Sequence, residues 1–208
     1  MHQTDSLLLL ISAPSGAGKT TVSQSLLAAN PRLRRVTTCT SRAPRPGEQD
    51  GVDYHFLSRA EFERRIEAGE FLEHANVYGD LKGILRSSVG ELLESGSDVL
   101  LNVDVQGAAT VRAVMAVDPR LIGRLVSVFL TPGNRSELES RLRGRDADSP
   151  EALARRLDTA AEEVRRWPEF DYLVVSGTRE EDLARIQSIY LAERSRSPRQ
   201  RFEWKNQP

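Results

Sequence analysis

An α/β fold, a doubly wound parallel sheet built around a phosphate loop, is what this sequence predicts, on three observations. Short apolar runs at 7–12, 98–104, 124–131 and 172–175 have the length and composition of strands buried on both faces. Segments with apolar residues at helical spacing, at 20–29, 107–117, 136–143, 150–167 and 180–194, alternate with them. Directly after the first run comes Ser12-Ala13-Pro14-Ser15-Gly16-Ala17-Gly18-Lys19-Thr20-Thr21, a glycine turn joining a strand to a helix.

That turn carries its own chemistry. Gly16 and Gly18 let backbone N–H groups converge on an anion, and the helix that follows adds its dipole. Lys19 reaches the terminal phosphates, and Thr20 offers a hydroxyl to Mg²⁺. Ala13, Pro14, Ser15, Gly16, Ala17, Gly18, Lys19, Thr20 and Thr21 therefore read as a nucleoside triphosphate site. Ala13 stands at the first position of the Gly-x4-Gly-Lys-Thr pattern, and the glycines nearest the phosphates are in place. Lysine occurs only at 19, 82 and 205, so a lysine here is not a routine surface residue.

A chain of 208 residues, 39% apolar and 28% charged, has material for one sizeable core with subdomains inserted into it. The formal net charge of −1 creates no global field toward DNA or an acidic membrane, which argues against nucleic acid or membrane as partners. The single cysteine, Cys39, rules out an intrachain disulfide and reads as a space-filling residue. His2, His55 and His74 have no metal-ligand spacing. The apolar stretch near the N-terminus is short and has no basic leader, which points to the cytoplasm. Oligomeric state is not written in the sequence.

Two segments interrupt the strand–helix alternation. The first, 37–96, has room for a small α+β subdomain and contains Ser58-Arg59-Ala60-Glu61, a capping box that should start a helix through about residue 68. The second is the arginine-rich loop at 144–150, closed by Ser149 as N-cap and Pro150 at the first helical position. The expected organisation is a core of 1–36 and 97–208, an insert of 37–96, and a lid at about 136–160 within the core. The polar run from 194 to 208 reads as a frayed tail.

Within the insert, Arg42-Ala43-Pro44-Arg45-Pro46-Gly47-Glu48 sets two guanidinium groups three residues apart in a proline-stiffened loop. Each can grip a phosphate through paired donors, and Tyr54 can add a hydroxyl to the same anion. Behind a phosphate loop this is a second phosphate site.

At this point the chain closely resembles the guanylate kinase family. Ala-Pro-Ser-Gly-Ala-Gly-Lys-Thr, Thr-Ser-Arg-Ala-Pro-Arg-Pro-Gly-Glu, Gly-x-Asp-Tyr-x-Phe, Glu-Phe-Leu-Glu-His-Ala, Asp-Val-Gln-Gly and Arg-Leu-Arg-Gly-Arg occur in the family's order over about 7–194. The resemblance implies phosphate transfer from ATP to GMP, with Mg²⁺ as the accompanying ion. It implies that Arg42, Arg45 and Tyr54 bind the GMP phosphate, that Glu73 accepts hydrogen bonds from the guanine N1 and N2 groups, and that Thr38 contacts the base. Asp104 is implied near the guanine and the metal, with Thr20 as the other metal contact. Arg141, Arg145 and Arg156 match the arginines placed on the donor phosphates as the lid closes, and with Lys19 and Arg42 they form the expected catalytic set.

The chain also departs from the family's pattern. Lys82 stands where a tyrosine touches the GMP phosphate and could supply a charge instead, whereas Ile84 stands where a hydroxyl contacts guanine. Asn102 occupies the place of an acid at the end of the second core strand, and Ser176 that of an asparagine near the donor base. These changes keep two alternatives in view. One is a kinase of another phosphorylated acceptor, such as ribose 1,5-bisphosphate; the other is a non-catalytic binding domain of the same superfamily.

Overall fold

The structure is a computed structural model and describes residues 3–77, 79–143, 150–202 and 204. In chain order the elements are β1 (Gln3–Thr4), β2 (Leu8–Ser12), α1 (Lys19–Ala29), β3 (Leu33–Arg35), β4 (Cys39–Thr40), β5 (His55–Phe56), α2 (Arg59–Glu67), β6 (Phe71–Val77), β7 (Asp80–Leu85), α3 (Arg86–Glu94), β8 (Asp98–Val103), α4 (Val105–Val117), β9 (Leu125–Thr131), α5 (Arg135–Arg143), α6 (Pro150–Val164), β10 (Tyr172–Val175), α7 (Arg179–Arg194) and β11 (Gln200–Arg201).

Five strands form a parallel sheet in the order β10-β9-β2-β8-β3. All of β2 is buried, as an apolar strand covered on both faces must be. Because side chains alternate along a strand, its two sets of residues enter different cores. Leu9 and Ile11, with Leu7, pack against Val22, Leu26, Ile186 and Tyr190 of α1 and α7. Leu8 and Leu10 pack against Val89, Leu93, Val111 and Met115 of α3 and α4. The chain runs first to the β8–β3 side of β2 and later to the β9–β10 side. That reversal leaves a crevice at the carboxyl ends of the central strands, where the phosphate loop lies.

A second sheet, in the order β5-β4-β7-β6, lies within 37–96. Cys39, Phe62, Phe71 and Leu81 form its small core, with the rings of Phe62 and Phe71 stacked at 4.4 Å. Cys39 is fully buried there, and burial pushes its thiol up to about 11, so it fills space. Ser58 Oγ accepts the Glu61 N–H at 3.2 Å and caps α2, while the Glu61 carboxylate pairs with Arg64 and Arg65 instead of completing the box. Helix α3, at the end of the same segment, packs on the core sheet through Val89 and Leu93.

The C-terminal run differs from the frayed tail that its composition predicts. β11 pairs antiparallel with β1, with Gln3 opposite Arg201 and Thr4 opposite Gln200. Asp5 N donates to Arg199 O at 2.7 Å, and the buried Arg199 donates to Gly123 O at 2.9 Å and faces Glu193. The partners are nearly the whole chain apart in sequence, so no local pattern announces them. Beyond this clasp two aromatic groups are left exposed, Phe202 at 66% and Trp204 at 81%.

At the amino-terminal foot of the sheet, Asp98 is completely buried. It accepts from Leu7 N at 2.9 Å and from the Tyr190 hydroxyl at 2.6 Å, and Arg32 and Arg194 each lie 3.3 Å away. Among the described residues, no helix is long and apolar enough to cross a membrane.

Candidate active site

The loop between β2 and α1 is held from below and open above. Ala13 and Ala17 are buried with the β2 side chains, so they present backbone to the crevice. Gly16 and Gly18 have φ of 89° and 96°, a left-handed conformation that glycine adopts without a steric penalty. A Cβ on Gly16 would lie 2.8 Å from Leu142, so α5 packs directly on the loop. Helix α1 begins at Lys19 with no side-chain cap, and no side chain competes with an anion for its first N–H groups.

Lys19 Nζ donates to Val103 O at 2.8 Å, which draws the lysine across the crevice to the end of β8. Burial pushes its pKa down, against the pull of Asp104, Glu163 and Glu73. Asp104 follows β8 and caps α4, accepting from Gly107 N at 2.7 Å. Asn102, two residues earlier, instead accepts from Ser23 Oγ at 2.7 Å and is tied to α1.

Glu73 reaches this group because the β6–β7 pairing slips between Phe71 and Glu73, a bulge that re-aims the side chain. Its carboxylate points to the start of α4: a Cβ on Gly107 would lie 3.3 Å from Glu73 Oε2. Burial and the nearby Asp104 push its pKa up to about 7, with Lys19 opposing. Gly83, paired with His74 on β7, leaves room for the bulge, since a Cβ there would meet Phe71 Cδ1 at 2.8 Å and Glu73 O at 2.9 Å.

The arginine loop of the insert closes on itself. Arg42 makes two 2.8 Å bonds to Glu48 and a third, at 2.7 Å, to Ala43 O. Arg45 contributes its backbone N–H to Glu48 at 2.7 Å and leaves its side chain exposed. These donors hold the Glu48 carboxyl down at about 2. Arg42 lies 5.3 Å from the Tyr54 ring centre and Lys82 Nζ lies 5.8 Å from it, so the structure gathers Arg42, Tyr54 and Lys82. Thr38 is half-buried, with its carbonyl accepting from His55 N at 3.0 Å. Ile84, by contrast, is buried with Leu72, Val89 and Val103 and serves the core.

Over the phosphate loop, Arg141 donates to Ala17 O at 3.2 Å and to Ser176 Oγ through both terminal nitrogens, each at 3.2 Å. Arg156 donates to Ser15 Oγ at 3.3 Å. Arg145 lies outside the described residues. Several neighbours, Ser176 apart, went unread in the sequence. Glu163 of α6 accepts the Ser15 backbone N–H, and burial followed by Asp104 pushes its pKa up. Ser176, Gly177, Arg179 and Asp182 join Gly16, Ala17, Thr21 and Arg141 around a cavity of about 340 Å³ beside the loop. The one local signal for them is the glycine after β10; the rest depends on long-range packing.

The chain therefore joins a triphosphate loop, a gathered cationic group on an inserted sheet, and a half-buried carboxylate between them. A family model described as guanylate kinase matches residues 5–193. A guanylate kinase of Paramagnetospirillum magneticum is 45% identical over 93% of this chain and 88% of its own length. One from Thiobacillus denitrificans is 43% identical over 93% and 90% respectively. The crystal structure of guanylate kinase from Anaplasma phagocytophilum superposes with a TM-score of 0.72 at 32% identity, covering 96% of this chain and 92% of that one. By its sequence, its fold and the arrangement of its site, the chain belongs to the guanylate kinase family.

Proposed function

We propose that the chain carries out the guanylate kinase reaction, transfer of the terminal phosphate of ATP to GMP, with the following division of labour. Residues 37–96 form the acceptor subdomain and about 136–160 the lid, on a core of 1–36 and 97–208. Arg42, Arg45, Tyr54 and Lys82 hold the GMP phosphate. Thr38 and Glu73 hold the base. Guanine presents two adjacent donors, N1–H and N2–H₂, where adenine presents an acceptor at the first, so a single carboxylate favours guanine. The observation that carries this reading is the half-buried Glu73, aimed by a bulge at the start of α4 beside Asp104 and Lys19. Ile84, turned into the core, asks nothing of the base.

On the donor side, residues 13–21 cradle the ATP phosphates, and Lys19 with Arg141, Arg145 and Arg156 neutralises charge on the transferring group. Little covalent help is needed from the protein, because phosphoryl transfer depends on alignment and electrostatics. A GMP phosphate oxygen forms the new bond to phosphorus as the bond to the ADP oxygen breaks.

Thr20 and Asp104 are oxygen donors suited to Mg²⁺. No cluster of three or more metal-ligating side chains occurs among the described residues, which fits an ion held mainly by phosphates and water. When bound with ATP, the ion supplies further neutralisation of the phosphates. We place the reaction in the cytoplasm, with ATP and GMP as partners.

The test is ADP release with Mg-ATP and, in turn, GMP, AMP, CMP, UMP and ribose 1,5-bisphosphate. Saturable turnover on GMP alone is the expected result. Turnover on ribose 1,5-bisphosphate instead would assign Lys82 to another acceptor, and ATP binding without turnover on any acceptor would leave a binding domain.

A further inference from the structure

At the end of the sheet away from the phosphate loop, a second group of arginines meets open space. Asp5 precedes β2 and Arg124 precedes β9, so both lie at the amino-terminal ends of parallel strands, whereas the phosphate loop follows the carboxyl end of β2. A cavity of about 480 Å³ opens there. Arg120 and Arg124 line it from the connection into β9, and Arg196 and Arg199 line it from the segment that leads into the C-terminal clasp. The one acid in the lining is Asp5, and Arg201 already engages that carboxylate at 3.0 Å. The chain as a whole carries a formal net charge of −1, so this excess of positive charge is local.

The four guanidinium groups are not equally committed. Arg120 pairs with Asp118 and Arg196 with Glu193, each at 3.3 Å and each arginine exposed, where ion pairs hold weakly. Arg199 is 7% exposed and fixed by Gly123 O at 2.9 Å and Glu193 at 3.4 Å. Arg124 is half-buried, and its one hydrogen bond runs to Ser6 O at 3.3 Å. It makes no ion pair among the described residues, and most of the five N–H donors of a guanidinium are left over. A partly desolvated charge without a counterion is stabilised by an anion. Guanidinium forks match phosphate oxygens in pairs, and cations arriving from two separate segments suit two linked phosphates better than one. The cavity has the size of a small-molecule site, for which about 300–1,000 Å³ is usual, and Pro119, Ile122 and Pro198 give it an apolar flank.

We propose that this cavity is a second phosphate site, separate from the donor and acceptor sites, which takes a small molecule with linked phosphates, either free or carried by a nucleoside. Arg124 is its principal contact, and Arg120, Arg196 and Arg199 surround the anion. A ligand there bridges the connection into β9 and the clasp that closes the chain. The proposal does not depend on the kinase reaction.

The experiment is calorimetric titration with inorganic triphosphate, and separately with GTP, of the full chain carrying Lys19→Met, which disables the donor loop. Expected is saturable binding that a further Arg124→Gln weakens about 10–100-fold and a further Arg120→Gln about 3–10-fold. Arg120 is exposed, so its variant keeps the test valid should Arg124→Gln fail to fold. Tighter binding of GTP than of triphosphate assigns the ligand to nucleotides, with the base on the apolar flank, and equal affinities assign it to the phosphates alone. In the chain that keeps Lys19, Arg124→Gln leaves turnover within about twofold. The proposal is overturned by a lack of saturable binding in the Lys19→Met chain, or by binding that neither arginine variant weakens, which would put the anion elsewhere. A natural chain without turnover on GMP would count against the kinase assignment and leave this site untouched.

Discussion

Replacing Glu73 by glutamine should make the ligand-free protein more stable and the enzyme far worse. The carboxyl ordinarily titrates at 4.5, and in the folded chain burial and Asp104 raise it to about 7. Below pH 4.5 the group is protonated in both states and costs nothing. Between 4.5 and 7 the unfolded chain ionises while the folded chain keeps its proton, so stability falls as pH rises. Above 7 the cost is constant, and at about 1.4 kcal/mol per tenfold in proton affinity it approaches about 3 kcal/mol. Glutamine is neutral throughout and escapes this cost, although its buried amide gives some of the gain back. The variant should therefore melt about 3–10 °C higher at pH 8, with the difference shrinking toward pH 5. Function moves the other way. In the proposed acceptor site the carboxylate accepts two guanine donors, and charge-assisted bonds contribute about 1.5–3 kcal/mol each. Glutamine offers one acceptor and turns an N–H₂ toward a donor, so kcat/KM for GMP should fall about 10²–10³-fold. Calorimetric melting from pH 5 to 8.5, with steady-state kinetics on both proteins, tests the two halves together. Parallel melting profiles, or a kcat/KM within about threefold, would refute the reasoning.

Three further outcomes are expected. Asp104→Asn keeps an oxygen for the Gly107 N–H and so preserves the cap on α4, yet it should lower kcat about 100-fold or more by removing charge beside the phosphates. Asn102→Ala, which loses only the Ser23 bond, should stay within about threefold, and equal turnover of these two variants would count against a metal-side role for Asp104. Arg42→Ala should raise the KM for GMP by about 10²-fold while the KM for ATP holds, and a matching rise for ATP would remove Arg42 from the acceptor site. Gly83→Ala drives a Cβ into Phe71 and the Glu73 backbone, so urea unfolding should show a loss of about 1–3 kcal/mol together with a raised KM for GMP; an unchanged midpoint would contradict that packing.

The phosphate loop and β2 were legible because both are local: an apolar run buried on two faces, then glycines that must take positive φ. β3 was not, because it is a three-residue edge strand in which Arg34 and Arg35 are exposed, so its composition reads as surface. Arg42 and Tyr54 could be read from their spacing, but the place of Glu73 depends on a one-residue slip in a hairpin, which alternation cannot reveal. Family resemblance supplied that residue. It did not supply the environment of Ile84, where the packing of Leu72 and Val89 decides that the side chain belongs to the core. Glu163 and Asp182 sit on helices whose neighbours arrive from distant parts of the chain, so each looks in sequence like any other polar surface residue, whereas Ser176 was picked out by the resemblance alone.

Asp98 has a consequence for the order in which the chain folds. Two of its partners, the Leu7 N–H and Arg32, are synthesised before it, and the other two, Tyr190 and Arg194, belong to the last long helix. Domains fold largely as their segments emerge during synthesis, and long loops must close before distant contacts count. A nascent chain that has paired β2 with β8 has only half of the partners of this carboxylate, and the helix that carries the other half also helps to cover it. The foot of the central sheet is thereby completed only when α7 docks on it.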